Sequence, residues 1–231
     1  MSMVDRAKNN VGIILQARMG STRLPGKVLM PFADTTLLGW ILRRLGPLPW
    51  PVIVATTTNP HDQPIIEHAL ACQTECFCGD ENDVLDRYWK CMNTYGFQHV
   101  IRLTADNPFP DVDELQRLVI SHCQQGFDYS HSLGQLPIGV GAEIFSANAL
   151  TTSWKEGKAS SHREHVNEYV LEHPELFRIH QLGIAARKHA PGLRLTIDTL
   201  ADFRRISGYL LCLDGPAIST EQLIALCSSS V

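Results

Sequence analysis

Short apolar runs alternate with longer stretches of helical apolar spacing along the first 125 or so residues. The apolar runs predict strands at Val11–Leu15, Val52–Ala55, Glu75–Cys78 and His99–Thr104. Helical spacing predicts helices at Leu37–Leu45, His61–Cys72, Asp83–Tyr95 and Val112–Cys123. Strand–helix alternation is typical of a mostly parallel sheet with helices on both faces. We therefore expect an α/β fold, a single three-layer domain spanning residues 1–231.

The pattern is less regular after about residue 127. Gly134–Gly141 is glycine-rich and predicts a loop, whereas Ser161–Glu172 has helical spacing. The remaining elements are predicted as strands at Phe177–Leu182 and Leu193–Ile197 and a final helix at Thr199–Leu211. Residues 127–190 fit the core pattern least, so we expect them to form an excursion that serves the acceptor site or a dimer interface.

Composition and charge narrow the class of protein. Hydrophobic residues make up 44% of the chain and charged residues 19%, as in an ordinary globular protein. A net charge of −4 does not indicate a general nucleic-acid or membrane-surface binder. No apolar run approaches the roughly 20 residues of a membrane span, and the first apolar segment is too short for a secretory signal. These features favour the cytoplasm, and the seven cysteines are interpreted as reduced structural thiols.

The segment from Gln16 to Lys27 follows the first predicted strand and combines basic, hydroxyl and glycine residues. A nucleoside triphosphate needs backbone N–H groups and fixed cations around its phosphates. Ligands of open α/β sheets bind at the carboxyl ends of strands, which favours a phosphate site over a basic surface turn. The segment matches neither the P-loop nor the dinucleotide fingerprint. The candidate nucleotide-binding residues here are Ala17, Arg18, Gly20, Ser21, Thr22, Arg23 and Lys27.

Two aspartates follow predicted strands far apart in the sequence. Asp106 and Asp198 could together supply the one or two carboxylates that Mg²⁺ prefers. Each is also explained by an ordinary turn or helix cap, and Asp198 precedes a predicted helix that it could cap. Asp202, in the same segment, is interpreted as a solvated helix residue.

Several segments together carry a resemblance to a known family. The chain contains, in order, QARMGSTRLPGKVL, VATTT, CGDENDVLDRY, RLTADNP, GAEIF, HREHV and RLTIDTLADF. This order resembles the SpsF-like cytidylyltransferases of spore-coat polysaccharide biosynthesis, which are related to the CMP-Kdo and CMP-sialic acid synthetases. The resemblance implies a nucleotide-diphospho-sugar transferase (GT-A-like) fold. It also implies transfer of CMP from CTP to a sugar or 2-keto sugar acid, with release of pyrophosphate.

The resemblance further implies roles for particular residues. Asp106 and Asp198 would hold Mg²⁺ and act in catalysis together with Arg18 and Lys27. Cytosine and ribose would lie near Ala55, Thr56 and the turn from Cys78 to Asp83, where the Asp83 side chain itself is better explained as a helix cap. Acceptor contacts are expected at Glu143, Arg163 and His165, with a solvated helix surface as the alternative. Related synthetases are typically homodimers, so we expect one here. The general base is left open.

Two other classes of protein remain as alternatives. A nucleotide-sugar-dependent glycosyltransferase commonly uses a D-x-D metal motif, and Asp111-Val112-Asp113 has that spacing. Because these residues follow Pro110 and open a helix, capping explains them better. The second alternative is a non-catalytic nucleotide-binding module, which the presence of Lys27, Asp106 and Asp198 disfavours.

Overall fold

The strands were located in a computed structural model, which describes residues 11–212 and 215–228. They are β1 Val11–Gln16, β2 Pro31–Phe32, β3 Thr35–Thr36, β4 Val52–Thr57, β5 Glu75–Gly79, β6 His99–Thr104, β7 Tyr129–His131, β8 Glu143–Ser146 and β9 Ile179–Gln181. All four strands predicted in the first half are present, and β6 has the predicted bounds.

The helices of the described residues follow the predicted order with additions. They are α1 Leu37–Leu45, α2 Gln63–Ala71, α3 Val84–Tyr95, α4 Val112–Gln125, α5 Ala147–Glu156, α6 Ser160–Glu164, α7 Glu168–Glu172, α8 Leu200–Tyr209 and α9 Thr220–Ser228. Short 3-10 turns lie at Lys27–Leu29, Pro60–Asp62, Ala186–Lys188 and Leu210–Cys212. Asp83 caps α3 by accepting from the Asp86 N–H at 2.8 Å, and Gly96 ends it in the left-handed conformation.

Seven strands form one sheet in the order β5-β4-β1-β6-β8-β7-β9. Only β8 runs antiparallel to its neighbours β6 and β7, and every other pair in this sheet is parallel. β2 and β3 form a separate antiparallel pair. The predicted mostly parallel sheet is therefore confirmed, and its carboxyl edge gathers the ends of β1, β4 and β6.

Helices cover both faces of the sheet and create two cores. Along β1, Ile13 and Leu15 belong to the core shared with α1, α2, α4, α8 and α9, whereas Ile14 belongs to the core shared with α3, α5 and α7. This alternation follows from the period of two along a strand. β1 is buried on both faces, as a central parallel strand requires, and the molecule has three layers.

The second half of the chain departs from the sequence prediction in four places. Residues 127–190, expected to be less regular, contribute the unpredicted strands β7 and β8 to the sheet, whereas β9 lies within the predicted strand Phe177–Leu182. Ser161–Glu172 is two short helices, because the chain leaves the helical conformation at His165 and re-enters it at Glu168. Between them, the Asn167 side chain donates to Glu143. The predicted strand Leu193–Ile197 is wrong: within the described residues this segment makes one isolated β-bridge, between Ile138 and Arg194, and forms no strand. Thr199–Leu211 is not the final helix, because α9 follows it.

None of the helices found in residues 11–212 and 215–228 has the length and apolar content that crossing a membrane requires.

Candidate active site

A cleft of about 370 Å³ lies at the carboxyl ends of β1 and β6. Its wall includes side chains of the segment from Ala17 to Lys27, which we call the phosphate loop, together with the ends of β1 and β6. The predicted site residues that line it are Ala17, Arg18, Ser21, Thr22, Arg23, Lys27, Asp106, His165 and Asp198. The fold therefore brings together one cluster of residues that the sequence spreads over 182 positions, from 17 to 198.

The phosphate loop is held at its base by a buried carboxylate. Asp62 accepts from the Met19 N–H at 2.7 Å and also from the N–H and hydroxyl of Thr57 at the end of β4. Near the far end of the loop, Gly26 adopts φ 72°, and its N–H donates to the Met19 carbonyl at 2.9 Å. The sequence analysis missed Asp62, because one acid beside a helix start carries no signal of a contact 43 residues away.

Lys27 joins the two strand-end aspartates. Its ammonium lies 3.0 Å from Asp106 Oδ2, 3.4 Å from Asp198 Oδ1 and 2.7 Å from the Ile197 carbonyl oxygen. The side chain is 9% exposed, so these contacts lie in a shielded position where charges interact more strongly than in water. Asp106 is oriented further by the Thr104 hydroxyl, which donates to its Oδ1 at 2.6 Å.

The Asp198 carboxylate bonds cations and does not cap the helix that follows it. Arg23 lies 2.8 Å from Oδ1, and Arg194 donates to Oδ2. The N-cap of α8 is Thr199, whose hydroxyl accepts from the Asp202 N–H at 3.2 Å. Asp202 completes this capping box, so it is not the solvated residue that the sequence suggested. The capping alternative for Asp198 is therefore not what the fold uses.

Basic side chains outnumber carboxylates at this end of the cleft. Among the described residues that line the cleft, Arg18, Arg23 and Lys27 are basic and Asp106 and Asp198 are acidic, and Arg194 adds a further cation by binding Asp198. Such an excess of positive charge suits a polyphosphate ligand. Arg194 does not line the cleft but binds Asp198, and the sequence analysis did not single it out.

A second arginine that the sequence analysis missed is buried next to the loop. Arg87 of α3 is fully buried, and its Nη1 donates to the Asp80 carbonyl. Its Nε and Nη2 have no hydrogen-bond partner among the described residues. Burial and, to a lesser extent, the nearby charge of Arg18 lower the pKa of Arg87, while Asp62 and Asp80 oppose this.

Three of the predicted nucleotide-site residues do not line the cleft. Ala55 and Thr56 are fully buried in β4, where the Ala55 carbonyl accepts from the Ala17 N–H at 3.1 Å. Gly20 is exposed in the phosphate loop. Contacts of these residues with a nucleotide remain predictions.

The three predicted acceptor residues occupy different environments. His165 lines the cleft. Arg163 lies 3.5 Å from Asp83 and donates to the Trp154 carbonyl at 2.9 Å, which ties α6 to α3 and α5. Glu143 is buried and accepts from Arg102, from the Tyr129 hydroxyl and from Asn167, the last at 2.8 Å.

The buried Glu143 carboxylate shifts the pKa values of two of its partners, Tyr129 and Arg102. Burial and the Glu143 carboxylate together raise the pKa of the Tyr129 hydroxyl well above its ordinary value. Burial alone would lower the pKa of Arg102, but Glu143 more than offsets this and raises it. Both effects hold the network in the form with Tyr129 protonated and Arg102 charged.

The D-x-D segment is structural. Asp111 caps α4 by accepting from the Glu114 N–H at 3.0 Å, and it is buried against Lys188 at 3.0 Å and the Thr220 hydroxyl. Lys188 also lies 3.2 Å from Glu114, so this lysine is not an exposed loop charge. Arg187 is exposed and bonds Glu221 at 2.8 Å. None of these residues lines the cleft.

The three-layer fold, with a basic loop after β1 and two aspartates joined by a lysine, defines a nucleotidyltransferase of the nucleotide-diphospho-sugar transferase type. The chain belongs to the cytidylyltransferase family, whose profile matches residues 12–228. It is therefore a CTP-dependent nucleotidyltransferase, as the sequence motifs predicted.

Individual relatives agree with this membership. The chain is 36% identical over 226 residues to the spore coat polysaccharide biosynthesis protein SpsF of Bacillus subtilis (strain 168), covering 94% of each chain. A cytidylyltransferase from Leptospira borgpetersenii serovar Hardjo-bovis (strain JB197) superimposes with a TM-score of 0.90 at 32% identity, covering 96% of this chain and 94% of the other. The CMP:2-keto-3-deoxy-manno-octonic acid synthetase solved with CTP has a TM-score of 0.69 at 15% identity, over 88% and 99% of the two chains, and shows the shared fold alone.

Proposed function

We propose that this enzyme transfers CMP from CTP to a hydroxyl of a sugar or 2-keto sugar acid, in the synthesis of polysaccharide precursors. The observation that carries the proposal is the Lys27 ammonium between Asp106 and Asp198, in a cleft lined by the arginines of the phosphate loop. Cations suited to a triphosphate lie beside carboxylates suited to a metal, and this arrangement supports the proposal. Membership of the cytidylyltransferase family supplies the nucleotide.

The residues of the cleft have distinct tasks in the proposed reaction. The acceptor oxygen attacks the α-phosphorus, and pyrophosphate leaves. Arg18, Arg23 and Lys27 offset the charge of the triphosphate and of the departing pyrophosphate, which is the main requirement of phosphoryl transfer. Asp62 holds the base of the loop in place while negative charge develops on the departing pyrophosphate.

Asp106 and Asp198 are the residues that would hold Mg²⁺. Two carboxylates, completed by phosphate oxygens and water, are a donor set that this ion accepts. The described residues contain no cluster of three or more histidine, cysteine or acidic side chains arranged for a metal, so the pair depends on the nucleotide to complete the shell. When bound, the ion would polarise the α-phosphate.

The alternative of a nucleotide-sugar-dependent glycosyltransferase has less support. Its expected D-x-D motif is used here to cap α4 and to bind Lys188. A non-catalytic module would not need the acid pair and lysine to converge.

Pyrophosphate release tests the proposal directly. Each of the four nucleoside triphosphates is offered with Mg²⁺ and a panel of 2-keto sugar acids and aldose phosphates. We expect release with CTP and a subset of the acceptors, and thermal stabilisation by CTP with Mg²⁺ larger than by ATP or GTP. Equal stabilisation by all four nucleotides, with no acceptor-dependent release, would contradict it.

We also infer a homodimer in which residues 127–190 meet the partner. The support is the family's usual assembly and the exposed apolar side chains Leu133, Ile138, Leu171 and Leu176 within this segment. Light scattering at micromolar concentration tests it, and a monomer under those conditions would remove this part of the proposal.

A further inference from the structure

Among the described residues that line the cleft there is one imidazole, that of His165. The titratable lining of the cleft consists of Arg18, Arg23, Lys27, Asp106, Asp198 and His165. The His165 side chain has no hydrogen-bond or ion-pair partner among the described residues. Among the described residues that line the cleft, His165 is therefore the one whose side chain can accept a proton and has no ion-pair or hydrogen-bond partner.

The two cleft carboxylates are poorly placed to accept a proton. Asp106 receives the Thr104 hydroxyl on Oδ1 and Lys27 on Oδ2. Asp198 receives Arg23 and Lys27 on Oδ1 and Arg194 on Oδ2. All four carboxylate oxygens are therefore already engaged by protein donors, which leaves neither group free to receive the acceptor's proton.

His165 is exposed, yet its backbone is held on both sides. Its N–H donates to the Ser161 carbonyl at 2.8 Å, and its carbonyl accepts from the Glu168 N–H at 3.0 Å. The next residue, Val166, is fully buried in the core, and Asn167 donates to the buried Glu143 at 2.8 Å. A side chain on such a fixed turn is pre-positioned towards the cleft.

We propose that His165 is the general base that takes the proton of the acceptor hydroxyl, and that Asn167 and Glu143 are positioning residues for it. The inference rests on the proposed function and adds to it the base that the sequence left open. Histidine is the side chain best suited to proton transfer near neutral pH.

The step is balanced in atoms and electrons. The acceptor O–H bond breaks, and its proton goes to an imidazole nitrogen of His165. The oxygen forms a bond to the α-phosphorus while the bond from that phosphorus to the oxygen bridging to the β-phosphorus breaks, and pyrophosphate carries away the electron pair. Imidazolium then returns the proton to water.

The charged surroundings of His165 come from several elements. Arg18, Arg23 and Lys27 face the cleft from the phosphate loop. Asp106 faces it from the turn after β6, and Asp198 from the segment just before α8. On its own segment, Arg163 is paired with Asp83, the nearby His162 with Glu172, and Glu164 is exposed. Three cations and two carboxylates therefore share the cleft with the imidazole.

The test compares His165→Gln and His165→Ala with His189→Gln, which alters an exposed histidine outside the cleft. With CTP, Mg²⁺ and the panel acceptor that gives the fastest release, we expect kcat to fall about 10²–10⁴-fold in both His165 variants. Added imidazole should partly restore His165→Ala. The acid limb of the wild-type pH–rate profile should be absent from His165→Gln and present in His189→Gln.

Asn167→Ala probes the positioning role. It should lower kcat less than His165→Gln does, while the acid limb of the pH–rate profile stays. If the variant instead lowers only thermal stability and leaves kcat unchanged, Asn167 is structural and this part of the inference is wrong.

Nucleotide binding separates this inference from the proposed function. CTP with Mg²⁺ should raise the melting temperature of the His165 variants as much as that of the wild type. If CTP does not stabilise the wild type, the proposed function fails. If CTP does, but His165→Gln keeps wild-type kcat, or NMR shows the His165 imidazole protonated in the CTP complex at the assay pH, the base assignment is overturned.

Discussion

The ammonium of Lys27 lies 3.0 Å from Asp106 and 3.4 Å from Asp198, two carboxylates that are 92 positions apart in sequence. It also donates to the Ile197 carbonyl. Lys27 therefore links the phosphate loop to two acidic segments, those that carry Asp106 and Asp198. Besides this structural task, the proposed function assigns it a role in binding phosphate.

Replacing Lys27 by Met should affect both tasks. Removal of one charge-stabilising contact costs roughly 10²–10³-fold in turnover. Because two carboxylates then face each other without their shared partner, we also expect a loss of about 1–3 kcal/mol in the free energy of unfolding. Steady-state kinetics and urea denaturation measure the two effects. Lys158→Met, at an exposed position, is the control, and equal behaviour of the two variants would contradict the assignment.

Asp198 and Thr199 are adjacent but should separate cleanly on substitution. Asp198→Asn keeps the shape of the side chain but removes the charge, so CTP stabilisation that depends on Mg²⁺ should weaken strongly. Thr199→Ala removes the N-cap of α8 and should cost about 1 kcal/mol of stability with little effect on metal dependence. Thermal shifts with CTP, with and without Mg²⁺, compare them. Normal metal dependence in Asp198→Asn would make Asp198 dispensable for the ion.

The sequence was most informative where local rules and tertiary structure agree. The short runs that became β1, β4, β5 and β6 are long enough or flanked by clear turn signals, and their order sets the parallel sheet. The region after residue 127 was harder because β7 and β8, which the sequence did not predict, have only three and four residues, too few to show a period. Their strand state depends on pairing with neighbours distant in sequence.

The candidate site divides in the same way. Lys27 and the two aspartates were expected at the site because they follow apolar runs that the sequence predicts as strands, although the run before Asp198 forms no strand. Asp62, Arg87 and Arg194 were missed because their contacts depend on the packing of separate elements. Glu143 and His165 were both expected near the acceptor, yet only the structure distinguishes a buried anchor from a side chain in the cleft.

A pair formed by the fully buried His122 and the half-buried His99 should make the fold sensitive to acid. His122 Nδ1 lies 2.8 Å from the Ser130 hydroxyl, and Nε2 lies 3.2 Å from His99 Nδ1. Burial, with smaller effects of His99 and His180, lowers the pKa of His122 to about 3, and burial also lowers that of His99. The unfolded chain binds protons at these positions first, so stability is fully present above about pH 6.5 and falls as the pH decreases towards 3.

Urea denaturation at pH 7.5 and pH 5 checks this expectation. Each proton that only the unfolded state binds contributes a slope of about 1.4 kcal/mol per pH unit. His122→Phe should be less stable than wild type at pH 7.5, because Ser130 and His99 lose a partner. It should nevertheless lose less further stability on acidification. An identical pH dependence in wild type and variant would show that other groups control acid unfolding.

Gly139 lies where the segment that carries Asp106 approaches the segment that carries Asp198. It has φ 90°, and a Cβ built on it would be 2.8 Å from Asn107 Oδ1 and 2.9 Å from the Thr196 backbone nitrogen. Asn107 supports Thr104, which orients Asp106, and Thr196 lies two residues before Asp198. A side chain at position 139 must therefore displace one or both acidic segments.

Gly139→Ala should consequently lower stability and weaken nucleotide binding together. The strained backbone alone costs about 1–3 kcal/mol, and the shift of either aspartate should reduce the thermal stabilisation by CTP with Mg²⁺. Gly183→Ala is the matched control, because a Cβ there meets no atom within 4 Å and the backbone is not in the left-handed region. Differential scanning calorimetry with and without CTP and Mg²⁺ measures both effects. If Gly139→Ala lost stability but kept full stabilisation by CTP and Mg²⁺, the two acidic segments would not depend on this close approach for their placement.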